Sequence, residues 1–159
     1  MGCGKSTVGR LLAHELGWPF TDLDEDIETR EGVSIADIFE KRGEPEFRSI
    51  EKKALERCVN HIAGGRPMVL ALGGGAFGDK STRELLETNG VTIWLDCPFQ
   101  RICARVEGTS HRPLAHDPKK FKQLYDDRRA TYELAEYRIE TDTDDAPSTV
   151  AAIMNLSLL

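Results

Sequence analysis

The sequence predicts an α/β domain with a mostly parallel sheet. Three observations carry this. The continuous apolar run Met68–Leu72 suits a strand buried on both faces, and Val91–Leu95 reads as the next buried strand. Stretches with apolar residues at helical spacing separate the strand candidates. Strands that alternate with helices imply parallel crossover connections. A length of 159 residues predicts one domain spanning 1–159, with no internal repeat, low-complexity tract or linker.

Each element has its own signal. Lys5 to Leu16 reads as a helix with Val8, Leu11, Leu12 and Leu16 on one face, stopped by Gly17. Trp18 to Thr21 is a short extended run ending in acidic residues. A second helix is expected around Asp24–Arg30. Ser34 to Arg42 is a third, with Ser34 as N-cap, Asp37 at the capping-box position and Gly43 as its end. Glu46 to Ile62 carries the stripe Phe47, Ile50, Ala54, Cys58 and Ile62. After the Met68–Leu72 strand, Ser81-x-x-Glu84 forms a capping box for a helix closed by Gly90. The Val91–Leu95 strand leads to a helix over Pro98–Val106. Glu107 to Pro118 is polar, lacks periodicity and reads as a loop. A helix over Pro118–Ala135, a strand over Tyr137–Glu140 and a helix over Pro147–Leu158 complete the order.

Composition excludes several function classes. There are 21 Lys and Arg residues against 27 Asp and Glu, a formal net charge of −6. That balance argues against a nucleic-acid partner, which rewards a basic face. No apolar run approaches the ~20 residues of a membrane span, and no hydrophobic stretch opens the chain as a secretory signal. Cys3, Cys58, Cys97 and Cys103 lack C-x-x-C spacing, so neither a zinc site nor a disulfide framework is indicated. A cytoplasmic protein with no membrane partner is expected.

The chemistry-bearing residues follow strands or lie in loops, where ligands bind in such sheets. Gly2-Cys3-Gly4-Lys5-Ser6-Thr7 is the second half of a phosphate-binding loop. Its glycines turn backbone N–H groups toward phosphate, and the helix that begins at Lys5 adds its positive end. Lys5 would reach the β- and γ-phosphates, and the Ser6 hydroxyl would ligate Mg²⁺. Asp22-x-Asp24 follows the Phe20 strand. One reading gives Mg²⁺ to Asp22 and a hydroxyl proton to Asp24; the other makes the pair a helix cap. Arg48-x-x-Glu51 is either a surface ion pair or an arginine fork for a carboxylate. Gly73-Gly74-Gly75 is either a flexible turn or a floor that permits close approach of a ligand. Arg112-Pro113-Leu114 lies in the irregular loop, where an arginine swings onto a phosphoryl group or stays solvated. Of Arg128 and Arg129, one would face inward and the other solvent.

Together these motifs resemble shikimate kinase, a P-loop small-molecule kinase, over nearly the whole chain. The loop half is similar to M-G-x-G-K-[ST]. Phe20-x-Asp22-x-Asp24-x-x-Ile27-Glu28 is similar to F-x-D-x-D-x-x-I-E. Gly43-Glu44-x-x-Phe47-Arg48-x-x-Glu51 is similar to G-E-x-x-F-R-x-x-E. Leu72-Gly73-Gly74-Gly75-Ala76, Arg112-Pro113-Leu114 and Arg128-x-x-x-Tyr132 match L-G-G-G-[AG], R-P-L and R-x-x-x-Y.

The resemblance implies ATP-dependent phosphorylation of the shikimate 3-hydroxyl to give shikimate 3-phosphate and ADP, in aromatic amino-acid biosynthesis. It implies Lys5, Asp24 and Arg112 as catalytic residues, with Asp24 as base. Asp24, Arg48, Glu51, Gly73, Gly74, Gly75 and Arg128 would bind shikimate. Gly2, Cys3, Gly4, Lys5, Ser6, Thr7, Arg105, Arg112 and Pro147 would bind ATP, with the segment Asp142–Pro147 near adenine. Ser6 and Asp22 would hold Mg²⁺, and a lid would span about 107–118. The family fold is a P-loop NTPase-like parallel sheet of five strands with helices on both faces, and the family leans to monomers. Only four strand candidates occur here, and Met1 stands inside the phosphate motif, so the expectation is an N-terminally truncated domain of reduced stability. A gluconate-kinase-like enzyme and a catalytically impaired nucleotide- or metabolite-binding relative are the competing expectations.

Overall fold

A computed structural model describes residues 2–106, 117–141 and 145–156. In chain order the elements are α1 (Lys5–Leu16), β1 (Phe20–Asp22), α2 (Leu23–Glu31), α3 (Ile35–Ala63), β2 (Val69–Ala71), α4 (Lys80–Asn89), β3 (Ile93–Asp96), α5 (Phe99–Val106), α6 (Pro118–Tyr132), β4 (Tyr137–Glu140) and α7 (Ala146–Met154). A single 3-10 turn, Ala76–Gly78, precedes α4. The chain forms two compact units, Leu12–Val91 and the combination of Met1–Leu11 with Thr92–Leu159.

Within Leu12–Val91, β1 and β2 pair in parallel, with Phe20 opposite Val69 and Asp22 opposite Ala71. Asp22 therefore sits at the carboxyl end of one strand, and Gly73 follows the carboxyl end of the other. Asp22 also caps α2, since its side chain accepts from the Asp24 N–H. Asp24, Glu25 and Asp26 then fill the first turn, where negative charge suits the helix dipole. Gly32 ends α2 at φ 68° and donates its N–H to the Glu28 carbonyl.

The two helices expected over Ser34–Arg42 and Glu46–Ile62 are two arms of α3, broken at Gly43 (φ 81°, ψ 169°). Only glycine adopts that backbone cheaply. Pro45 falls at the start of the second arm, where its missing N–H costs no helical bond. The second arm buries Phe47, Glu51, Ala54, Leu55, Cys58 and Val59. Ile50 and Ile62, expected in the stripe, are half-buried. The core of this unit joins those apolar residues to Leu23, Ile27 and Ile38, with Leu70, Leu72, Leu85 and Leu86 packed against them.

The other unit holds the parallel β3–β4 ladder, in register from Ile93 opposite Tyr137 to Asp96 opposite Glu140. Cys97, Ile102 and Phe121 form its small core, with Cys3, Phe99, Cys103 and Tyr125 against them. Asp117 caps α6 by accepting from the N–H groups of Lys119 and Lys120. Asp145 caps α7 by accepting from the Ser148 N–H.

Several expectations need correction. The strands over Met68–Leu72 and Val91–Leu95 are shorter or shifted, as Val69–Ala71 and Ile93–Asp96. They are not buried on both faces throughout: Val69, Leu70, Ile93 and Leu95 are half-buried, because each strand belongs to a two-stranded ladder. The N-cap of α4 is Asp79, which accepts from the Thr82 N–H, and Ser81 lies inside the helix. Leu11 is exposed, and Val8, Gly9, Leu12 and Ala13 are the buried residues of α1. Arg112 and most of the expected lid lie outside the described residues, as do Asp142 to Asp144.

Leu55 is 1% exposed at the centre of the larger core. Leu55→Ala is expected to cost about 2–5 kcal/mol of unfolding free energy through lost burial and a residual cavity. Urea unfolding checks this, and a loss below about 1 kcal/mol contradicts the packing described.

Candidate active site

The triple glycine after β2 forms the floor of the site in the Leu12–Val91 unit. Gly73 is buried, and a β-carbon there would land on Asp24 Oδ1 and lie 3.2 Å from Glu51 Oε1. A β-carbon at Gly75 would lie 2.5 Å from Arg48 Nη2 and 2.8 Å from Nη1. A side chain at Gly73 or Gly75 would therefore meet the carboxylate of Asp24 or the guanidinium of Arg48 at close range. Asp24, Glu51 and Arg48, drawn from α2 and α3, converge on one floor.

Arg48 Nη1 donates to Glu51 Oε2 at 2.7 Å. The Glu51 side chain is only 7% exposed, so this is not the surface pair that helix spacing alone allows. A buried carboxylate without a cation is costly, and Arg48 supplies it. Arg48 Nε and Nη2 donate to Glu44 Oε1 at 3.3 and 3.1 Å. Burial alone would push the Arg48 guanidinium down, but hydrogen bonds and charge from Glu51 and Glu44 outweigh it and hold it above its ordinary value. Its ring-side neighbour is Phe47, 5.2 Å from the guanidinium carbon to the ring centroid.

A cavity of about 500 Å³ opens beside this floor, lined by Arg48, Glu51 and Gly75 and continuing past Lys52, Asp79 and Thr82. That volume suits a small molecule. Asp24 and Gly73 lie outside that lining, and Asp24 approaches the floor at Gly73.

The phosphate-loop residues lie in the other unit. Gly2 and Gly4 take φ of 60° and 84°, the left-handed turns that aim successive N–H groups into one hollow. Gly4 opens α1 by accepting from the Val8 N–H. Lys5, Ser6 and Thr7 occupy the first turn, whose N–H groups point out of the helix end. Arg105 donates to the Gly2 carbonyl at 2.7 Å and reaches Cys97 Sγ at 3.8 Å. It braces the loop backbone from α5. Burial raises the Cys97 thiol above its ordinary value, so it packs as a neutral group. Pro147 lies in the first turn of α7.

Sequence reasoning missed one cluster of this unit. Asp96, at the end of β3, has a side chain 7% exposed. It accepts from Arg129 Nη1 and Nη2 at 2.6 and 2.9 Å and from Arg138 Nε at 2.8 Å. Both arginines stack on Trp94, at 4.9 and 5.2 Å from its ring. The hydrogen bonds that Arg129 donates to Asp96 lead the effects that raise its guanidinium above its usual value. Arg129 is therefore engaged rather than turned to solvent. Its neighbour Arg128 is half-buried and has no hydrogen bond or ion pair to a described residue. The Arg-Arg pair was the signal; which member was committed depended on Asp96, 33 residues away.

Among the described residues there is no group of three or more His, Cys, Asp or Glu able to hold a metal by themselves. Ser6 and Asp22 offer hard oxygen donors of the kind Mg²⁺ takes alongside phosphates and water. Among the same residues no helix is long and apolar enough to cross a membrane.

Known proteins point one way. The sequence model of a family described as shikimate kinase matches residues 1–156. A shikimate kinase from Persephonella marina is 41% identical over 143 residues, which cover 89% of this chain and 85% of the relative. The structure of shikimate kinase from Acinetobacter baumannii in complex with shikimate aligns with TM-score 0.85 at 36% identity, covering 98% of this chain and 87% of that one. That from Aquifex aeolicus gives TM-score 0.82 at 31% identity, covering 97% and 89%.

Gly75→Ala places a methyl group against the Arg48 guanidinium. Since misplacing a site group by 1 Å costs on the order of 10²-fold, affinity for a carboxylate ligand is expected to fall at least tenfold. Calorimetric titration checks this. Unchanged affinity contradicts the close packing of Arg48 on Gly75.

Proposed function

The chain belongs to the shikimate kinase family, and on that premise we propose how its own residues divide the work of phosphorylating shikimate with ATP. The reaction transfers the γ-phosphoryl group of ATP to the 3-hydroxyl of shikimate and yields ADP. The observation that carries the proposal is the convergence of Asp24, Glu51 and Arg48 on Gly73 and Gly75.

Shikimate carries one charge, its carboxylate. Arg48, held by Glu51, and Arg128, uncommitted beside the engaged Arg129, anchor that carboxylate. Bidentate guanidinium forks fix orientation as well as charge. Gly73, Gly74 and Gly75 lie against the ring, where any side chain would block it. Asp24 accepts the 3-hydroxyl proton as the oxygen attacks phosphorus. The Asp24 N–H is tied to Asp22, so the two carboxylates share one turn and keep separate tasks.

On the nucleotide side, Gly2, Cys3, Gly4, Lys5, Ser6 and Thr7 cradle the phosphates, with Lys5 on the transferring group. Arg105 keeps the loop in place through the Gly2 carbonyl and lies with Pro147 toward the adenine. Ser6 and Asp22 would hold Mg²⁺, which when bound supplies positive charge at the phosphates. Arg112, in the 107–118 segment whose residues 107–116 lie outside the described ones, would act on the transferring phosphoryl group. Phosphoryl transfer needs mainly positioning and charge neutralisation, and these residues supply both.

A coupled ADP-release assay tests this reading. Turnover is expected with shikimate and none above background with gluconate. Asp24→Asn is expected to lower kcat by about 10²–10⁴-fold, the usual contribution of a general base, with ATP still bound. Equal turnover on gluconate contradicts the substrate, and a wild-type kcat in Asp24→Asn contradicts the base.

A further inference from the structure

The Arg48 guanidinium has two edges on which a carboxylate seats with two hydrogen bonds. One edge includes Nη1, which donates to Glu51 Oε2 at 2.7 Å. On the other edge Nε and Nη2 both donate to one oxygen, Glu44 Oε1, at 3.3 and 3.1 Å. Gly75 closes a further flank, where a single added carbon would collide with Nη2. An incoming carboxylate therefore finds its two-point seat already taken by Glu44.

The two glutamates hold Arg48 on different terms. Glu51 is bonded at 2.7 Å with its side chain 7% exposed. Glu44 is bonded at 3.1 Å with its side chain 63% exposed. A hydrated carboxylate gives up a long, exposed pair at little cost, because water and solvent ions replace the contact. Glu44 also follows directly on Gly43, where the two arms of α3 part at φ 81°. It is a displaceable anion, and Glu51 is a permanent one.

We propose that Glu44 is a positioning residue that holds the Nε–Nη2 edge of Arg48 in the empty site and gives that edge up to the carboxylate of shikimate. The proposal rests on the reading of Arg48 as the carboxylate anchor. Glu44 is then an intramolecular competitor of the substrate, and its negative charge lowers affinity for an anionic acceptor.

Calorimetric titration of shikimate into the full chain tests this with Glu44→Gln, Glu44→Ala, Arg48→Ala and the double variant Glu44→Gln/Arg48→Ala. Both single Glu44 variants are expected to bind shikimate about two- to fivefold more tightly, the span that exposed ion pairs carry. Nucleotide affinity stays the same. In the Arg48→Ala background Glu44→Gln has no effect, because the two act through one contact. A merely structural role for Glu44 predicts weaker binding, so the sign decides. Equal or weaker binding in the Glu44 variants, with Arg48→Ala itself impaired, overturns the placeholder alone. Shikimate affinity unaltered by Arg48→Ala overturns the anchor reading and the placeholder together.

Discussion

The acceptor side of this protein depends on one ion pair, Arg48 with the buried carboxylate of Glu51. Three parts of the sequence are arranged to make it possible. The second arm of α3 sets the two residues three apart, on one helix face. The break at Gly43 starts that arm where it does. Gly75 leaves room for the guanidinium, which an added β-carbon would force to shift. Glu51 without its arginine is an uncompensated buried charge, so stability is tied to this contact.

The other unit follows the same rule with different residues. Asp96 is buried and gathers Arg129 and Arg138 over the face of Trp94. That commits Arg129, while the adjacent Arg128 has no hydrogen bond or ion pair to a described residue. Acidic side chains do further structural work at helix starts. Asp22, Asp79, Asp117 and Asp145 each accept backbone N–H groups at the head of a helix. Part of the net charge of −6 is therefore spent on the fold and gives no information on partners.

The site was largely legible in the sequence because its residues must occur at fixed spacings. A glycine turn, an i,i+3 Arg–Glu pair and a carboxylate two residues beyond a strand end are local patterns, and the structure brings Asp24, Glu51 and Arg48 against Gly73 and Gly75. The metal and cap readings of Asp22 were competing expectations, and Asp22 is seen as a cap. What stayed hidden was of two kinds. Strand limits and caps shifted by a few residues, because Asp79-x-x-Thr82 and Ser81-x-x-Glu84 both satisfy a capping pattern and only geometry selects one. Contacts between distant positions left no local trace: Asp96 finds Arg138 across 42 residues. Glu44 was legible as part of a motif but not as a partner of Arg48, since a helix start and an ion pair place the same demand on that position.

The shikimate affinity of Glu51→Gln tests the central claim most directly. Glutamine keeps the volume and one acceptor oxygen but removes the buried charge that fixes Arg48. Breaking one side of a desolvated charge pair typically costs about 2–5 kcal/mol, so the dissociation constant for shikimate is expected to rise by more than about tenfold, with nucleotide affinity unchanged. Wild-type affinity for shikimate in a folded Glu51→Gln protein would contradict the account, because Arg48 would then hold its place without the pair.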